Sequence, residues 1–342
     1  MNDEKQEQAY WLLLTFESKL AKRAVSAIIV NWCLQRSGTL QEFFSLTAQQ
    51  WSDICQLDAN AVAKLNHSRE KITDQVALVE KLVKTGIYIL TVLDAKYPRM
   101  LKSTLSLIET PPVLFYAGDL EILDLITVAI IGSRNAMEES LAFTRLASQY
   151  LAEQGANVIS GNARGVDRAA LEGASNSIGC TTVVLPEGIF KLAKAQMRTL
   201  QPKIESGNVL LMSQFHPDAQ WVVSRAMERN KLVTGLARVV IVAESNIQGG
   251  TWKGANGALR QSRPLYVRQS VLPTLLPGNK ALIELGGRPL YWPTRIDEEE
   301  KSLIEDVISP LLESEKFNQE QNYIPSLSTQ ISRLLEEQRV YI

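Results

Sequence analysis

The chain has little of what most catalytic and secreted proteins depend on. Its 342 residues contain only two histidines, His67 and His216, in widely separated segments. A histidine-based metal site or a histidine general base therefore finds little support. The three cysteines, Cys33, Cys55 and Cys180, are odd in number and far apart. That pattern argues against a disulfide framework and fits a reducing cytoplasm. Charge of neither sign dominates: 36 Lys and Arg face 37 Asp and Glu. The protein is thus no globally basic coat for nucleic acid, and any polyanion must meet a local patch. No apolar run approaches the roughly 20 residues of a membrane span. The polar start MNDEKQEQ carries no signal-peptide pattern. A cytoplasmic location without a membrane partner is expected. Neither GxxxxGK[ST] nor GxGxxG occurs, which lowers the odds of a P-loop NTPase and of a dinucleotide oxidoreductase. The expectation is a binding protein, not an enzyme, with no cofactor, metal or catalytic residue.

What is present is a change of period along the chain. At 342 residues the chain is long enough for about two domains of roughly 150 residues each, and its 45% hydrophobic residues leave ample material for a core. Tyr10–Leu20, Lys22–Leu34, Leu40–Phe44, Thr47–Ile54 and Ala61–Leu82 place apolar residues three and four apart, which predicts helices. Thr47 to Gln50 resembles a capping box, and Asp58 is placed to cap the next helix. From Gly86 onward short apolar runs take over. Ile87–Val92 and the run after Pro111-Pro112 lead into six predicted strands: Val128–Ile131, Asn157–Ser160, Thr181–Leu185, Val209–Ser213, Val239–Ala243 and Pro264–Val267. Between them fit helices at Glu138–Gln154, Val166–Ser175, Phe190–Glu205, Trp221–Leu236 and Lys253–Ser262. Almost purely apolar strands alternating with amphipathic segments predict an α/β domain, an extended Rossmann-like, doubly wound and mostly parallel sheet. The expected organisation is an N-terminal all-helical domain over 1–85, the sheet domain over 86–295, and a short helical tail over 296–342.

Two strand-end loops carry the chemistry. Gly132-Ser133-Arg134 ends the first strand of the alternating region. Its glycine allows close backbone approach, Ser133 offers a hydroxyl, and Arg134 can fork two donors onto a phosphate. An ordinary tight turn with a surface arginine is the plainer reading. Gly161-Asn162-Ala163-Arg164-Gly165 repeats the glycine–arginine pattern at the next strand end. Adjacent strands of right-handed crossovers place both loops on the carboxyl edge, where α/β sheets bind ligands. Asp167 either caps the following helix or holds Arg164, and capping is the simpler role. Lys191, Lys194 and Arg198 form one basic helix face. Arg225, Arg229 and Lys231, with Asn230, either line a groove or form a solvated face. Gly249-Gly250-Thr251 at a helix start makes either an anion nest or a capped turn. His216 reads as a turn or lid residue.

In this order the segments resemble the DprA/Smf family of bacterial DNA-processing proteins. The likeness runs over YPRML (Tyr97–Leu101), PPVLFYAGD (Pro111–Asp119), VAIIGSR, VISGNARGVDRAALEGA, ERNKLVTGLARVVIVAE (Glu228–Glu244) and PGNKALIELGG (Pro277–Gly287). The resemblance implies a domain that binds single-stranded DNA, dimerises, and delivers DNA to the RecA recombinase during DNA uptake. By motif position Arg134 matches the key DNA-contacting arginine. Gly161, Arg164 and Asp167 fall in the second pocket loop. Lys191 or Lys194 lies near a DNA-binding lysine, and Arg229, Asn230 and Lys231 match the RNR segment with lysine last. Departures include Asn162 where leucine is usual and Gln248-Gly249-Gly250-Thr251-Trp252 in place of Ser-Gly-Ser. They keep open a divergent paralogue serving mobile-element or phage-defence functions.

The expected function is thus single-stranded DNA binding. Phosphates would be met by Arg134, Lys191 and Lys231, and bases held against Phe190 or Phe215. The alternative is a nucleotide-ligand sensor or nucleoside-phosphate hydrolase of the LOG-like superfamily, motivated by Gly249-Gly250-Thr251. No glutamate follows that loop within several positions, which argues against hydrolysis.

Overall fold

The computed structural model describes residues 3–175, 179–269 and 276–291. The chain divides into two compact units that meet in sequence at Tyr116 and Ala117. The expected helical tail over 296–342 lies outside the described residues.

The first unit begins with six α-helices: α1 (Asp3–Leu12), α2 (Lys22–Ile28), α3 (Leu40–Ser45), α4 (Ala48–Cys55), α5 (Ala59–Arg69) and α6 (Ile72–Lys84). Wider π turns extend α1 over Leu13–Glu17 and α2 over Ile29–Leu34. The capping box before α4 forms as the sequence suggests. The Gln50 amide donates to Thr47 Oγ1 at 3.2 Å, and the Thr47 amide donates to Gln50 Oε1 at 2.8 Å. Asp58 Oδ1 accepts the Ala61 amide at 2.7 Å and starts α5. Phe43, Phe44 and Trp51 pack ring against ring at the centre.

Ala61–Leu82 reads as one helix in the sequence and is two. The chain turns at Glu70–Lys71, where neither glycine nor proline marks a break. Packing sets the turn: Arg69 lies 4.4 Å from the Trp51 ring, and Lys71 pairs with Glu17. After α6, β1 (Tyr88–Thr91), α7 (Arg99–Thr104) and β2 (Val113–Ala117) follow, with β1 and β2 antiparallel.

The second unit is a doubly wound, Rossmann-like α/β layer. Its strands are β3 (Thr127–Gly132), β4 (Asn157–Ser160), β5 (Cys180–Val184), β6 (Val209–Ser213), β7 (Val239–Glu244), β8 (Leu265–Gln269) and β9 (Arg288–Tyr291). All pair in parallel, in the order β6-β5-β4-β3-β7-β8-β9. The helices between them are α8 (Glu138–Glu153), α9 (Val166–Ser175), α10 (Lys194–Glu205), α11 (Val223–Leu236), α12 (Gly250–Arg260) and α13 (Pro277–Glu284). β4 and β6 are buried along their whole length, and β3, β5 and β7 over all but their ends, as a sheet covered on both faces requires. On one face Phe143, Ala147 and Leu151 of α8 and Ala170 and Ala174 of α9 pack over Val128, Ile130, Val158 and Ile241.

The winding direction positions the site. From β3 the chain adds strands outward to β6, then returns to lay β7 on the opposite side of β3. Loops leaving β3 and β7 therefore diverge, and their carboxyl ends open a crevice. Three helix starts differ from expectation. Phe190 falls in a single 3-10 turn, Ile189–Lys191, so α10 begins only at Lys194. Trp221 precedes α11. Gly250, not Lys253, begins α12. The pair α13 and β9 carries no strong local signal: β9 is four residues, Arg-Pro-Leu-Tyr, at the end of the sheet order. Among the described residues no helix is long and apolar enough to cross a membrane.

Candidate nucleic-acid interface

The crevice between the β3 and β7 ends is a cavity of about 800 Å³. Gly132, Ser133 and Arg134 form one wall, Arg229 and Asn230 of α11 another, and Gly249, Gly250 and Thr251 a third. A second cavity, about 400 Å³, lies beside it and shares Arg134, Ala163 and Arg229. Asn162 and Arg164 line this second space together with Glu187, Gln196 and Trp221. The two glycine–arginine loops, 30 residues apart in sequence, thus meet at one edge.

Their meeting depends on the absence of side chains at two positions. Gly165 has φ +84°, and a Cβ there would run into the Ser133 carbonyl and the Arg134 backbone. At Gly161 a Cβ would fall inside the guanidinium of Arg229. With both positions bare, the Val166 amide donates to the Ser133 carbonyl at 3.2 Å. Arg164 donates to Asn135 Oδ1 across the same gap. The Ser133 amide donates to the Glu244 carbonyl at 2.8 Å and ties the first loop to β7. Asn162 holds φ +57°, a left-handed conformation that asparagine tolerates better than a leucine would.

Arg229 is the internal post of this arrangement. It is only 2% exposed, which overturns its reading as part of a solvated helix face. Its Nη1 donates to the Val184 carbonyl at 3.0 Å, and its Nη2 lies 3.7 Å from Asp167 Oδ2. Burial pushes the guanidinium pKa down and the Asp167 carboxyl pKa up, against the pair's mutual attraction. Asp167 also accepts the Ala163 amide at 3.3 Å. It therefore pins its own loop and Arg229. It neither caps α9 in the forward sense nor holds Arg164, because burial places its carboxylate beneath the loop.

Arg134 is the opposite case. It is exposed, and among the described residues it makes no hydrogen bond or ion pair. Its guanidinium carbon lies 5.7 Å from the Trp221 ring centre. Trp221 is itself 44% exposed, Val222 and Val223 next to it in the chain are exposed too, and Val223 lines the larger cavity with the exposed Ile247. Trp221 is the residue the sequence reading missed. Its signal was a lone tryptophan just ahead of a basic helix. Phe215, considered there as a stacking surface, is buried under Arg225, and Phe190 is half-buried. The remaining cations stand apart. Lys191 pairs with Asp218 at 3.4 Å, Lys194 is exposed at the start of α10, and Lys231 is exposed on α11. None of the three lines either cavity. Among the described residues no cluster of three or more His, Cys, Asp or Glu could hold a metal.

The family model for DNA recombination-mediator protein A matches residues 88–299. The chain belongs to that family. The match takes in both loops, α11 and the Gly249–Thr251 turn, so the glycine-rich turn is part of the DNA-processing domain. The DNA processing protein DprA of Streptococcus pneumoniae is 30% identical over 199 residues, which are 58% of this chain and 69% of that protein. Protein Smf of Escherichia coli is 29% identical over 170 residues, half of this chain and 45% of its own length. The crystal structure of the pneumococcal DprA aligns with a TM-score of 0.66 and 25% identity, covering 82% of this chain and 94% of that one. DNA processing protein A of Helicobacter pylori, described with its single-stranded DNA binding mode, aligns with a TM-score of 0.54 and 26% identity. That alignment covers 67% of this chain and 96% of the other. This DprA/Smf member is therefore a DNA-processing protein built on a Rossmann-like sheet.

Proposed function

We propose that this DprA/Smf member binds single-stranded DNA along the carboxyl edge of its sheet. One observation carries the reading: an exposed, unpaired Arg134 lies over an exposed Trp221 where the two cavities join. Phosphate needs a free guanidinium, and an unstacked base needs an open aromatic face. Duplex DNA shields its base faces, so an aromatic platform favours a single strand. Arg164, held by Asn135, supplies a second cation at the same mouth. The amides opening α12 at Gly250 and Thr251 add donors to the larger cavity. Lys194 and Lys231 supply outer charge that draws a strand in without touching the cavity walls.

The protein acts by binding, not by catalysis, as a cytoplasmic homodimer, and passes its strand to a recombinase of RecA type during DNA uptake or recombination. Family membership supports this reading over that of a nucleotide sensor or hydrolase. The test is a gel-shift titration of single-stranded and duplex oligonucleotides with wild type, Arg134→Ala and Trp221→Ala. Both variants should keep the wild-type melting temperature and lose single-strand affinity. Trp221→Ala should lose about 1–3 kcal/mol, the usual worth of one base–aromatic stack. Wild-type affinity in both folded variants would refute the assignment.

A further inference from the structure

A third cavity, about 330 Å³, lies between α9 and α10 and shares Asn162 and Gln196 with the middle cavity. The middle cavity in turn shares Arg134 with the β3–β7 crevice. Through these shared lining residues the three cavities follow one another from the β3–β7 crevice to α9. The section between α9 and α10 is lined by Arg168, Glu172 and Ser175 of α9 and by Thr199 and Lys203 of α10.

Arg168 is the informative residue. It is half-buried, and among the described residues it makes no hydrogen bond or ion pair. Glu172 stands four positions on, at helical spacing for a pair, yet no ion pair joins the two within 4 Å. Lys203 behaves differently: its Nζ donates to the Ser175 carbonyl at 2.5 Å and links α10 to the end of α9. An arginine left without a carboxylate inside a groove is disposed to meet an anion from outside. Leu171 and Leu200 give the same section an apolar floor, so a base can lie inward while its phosphate stays at Arg168.

We propose that the groove between α9 and α10 is an extension of the DNA track, in which Arg168 binds a backbone phosphate beyond the Arg134–Trp221 mouth. The extension rests on the single-strand reading above. It makes a separate claim about length: a strand too short to pass Asn162 uses only the mouth, and a longer one also engages Arg168. From Arg168 to Ser175 the helix advances about 10 Å, room for more than one nucleotide.

The test is a length series of oligothymidylates, from about 4 to about 20 nucleotides, titrated at several salt concentrations. Wild type, Arg168→Ala, Arg168→Lys and Arg134→Ala are compared, with melting temperatures measured alongside. The expected result for Arg168→Ala is wild-type affinity for the shortest strands and weaker affinity for the longest. Its salt slope on long strands should fall by about 0.7, the share of one single-strand phosphate. Arg168→Lys should restore that slope, and Arg134→Ala should lose affinity at every length. If Arg168→Ala keeps the wild-type length dependence and slope while Arg134→Ala loses binding, the extension is wrong and the mouth assignment stands. If the wild type binds no oligothymidylate at any length, the single-strand reading fails and the extension falls with it.

Discussion

Replacing Asp167 with alanine separates the residues that build the site from those that would touch DNA. The change leaves the Arg229 guanidinium 2% exposed with one remaining bond, to the Val184 carbonyl at 3.0 Å. Its Nε has no partner even in the intact pair. Breaking a buried ion pair by removing one partner costs about 3–5 kcal/mol. Two features put this pair at the lower end. The 3.7 Å separation is long for a charge-assisted bond, and burial has already raised the Asp167 pKa, so its carboxylate is held at some cost. About 3 kcal/mol corresponds to a fall in melting temperature of roughly 6–12 °C for a unit of this size. Thermal denaturation followed by circular dichroism measures it. A second substitution, Arg229→Met in the Asp167→Ala background, removes the orphaned charge and should recover part of the loss. A melting temperature for Asp167→Ala within about 1 °C of wild type would refute the argument. So would a double variant less stable than the single one. Arg134→Ala supplies the contrast: an exposed side chain without a polar partner should change stability by less than about 0.5 kcal/mol.

Two further outcomes are expected. Gly165→Ala places a Cβ against the Ser133 carbonyl at a positive φ, so it should cost about 1–3 kcal/mol and weaken DNA binding by displacing the second loop; paired melting and gel-shift measurements check it, and a fully stable variant with intact binding would contradict the close packing of the two loops. Glu187 lines the middle cavity with Arg134 and Arg164, and burial raises its carboxyl pKa above the ordinary value. A strand phosphate there is repelled by the carboxylate and not by the protonated acid, so single-strand affinity should rise as pH falls from neutral toward that raised pKa. Glu187→Gln should flatten this part of the pH profile, and an unchanged profile in that variant would assign the dependence to another group.

What the sequence determined by itself was local. Strands β3 to β8 were legible because each is a short apolar run between turn residues, and burial on both faces leaves such runs uninterrupted. The Thr47–Gln50 and Asp58 caps were legible because both partners lie within one turn. The two glycine–arginine loops could be placed on one edge because parallel crossovers have a fixed hand. Tertiary structure alone decided which of the site's arginines are free. Arg134 and Arg229 look alike as residues in a sequence. The return of the chain from β6 to β7 sets Arg229 under Gly161 and beside Asp167, out of water, and leaves Arg134 outside over Trp221. That difference rests on contacts between residues about 60 to 90 positions apart, for which helix and strand periodicity carry no information.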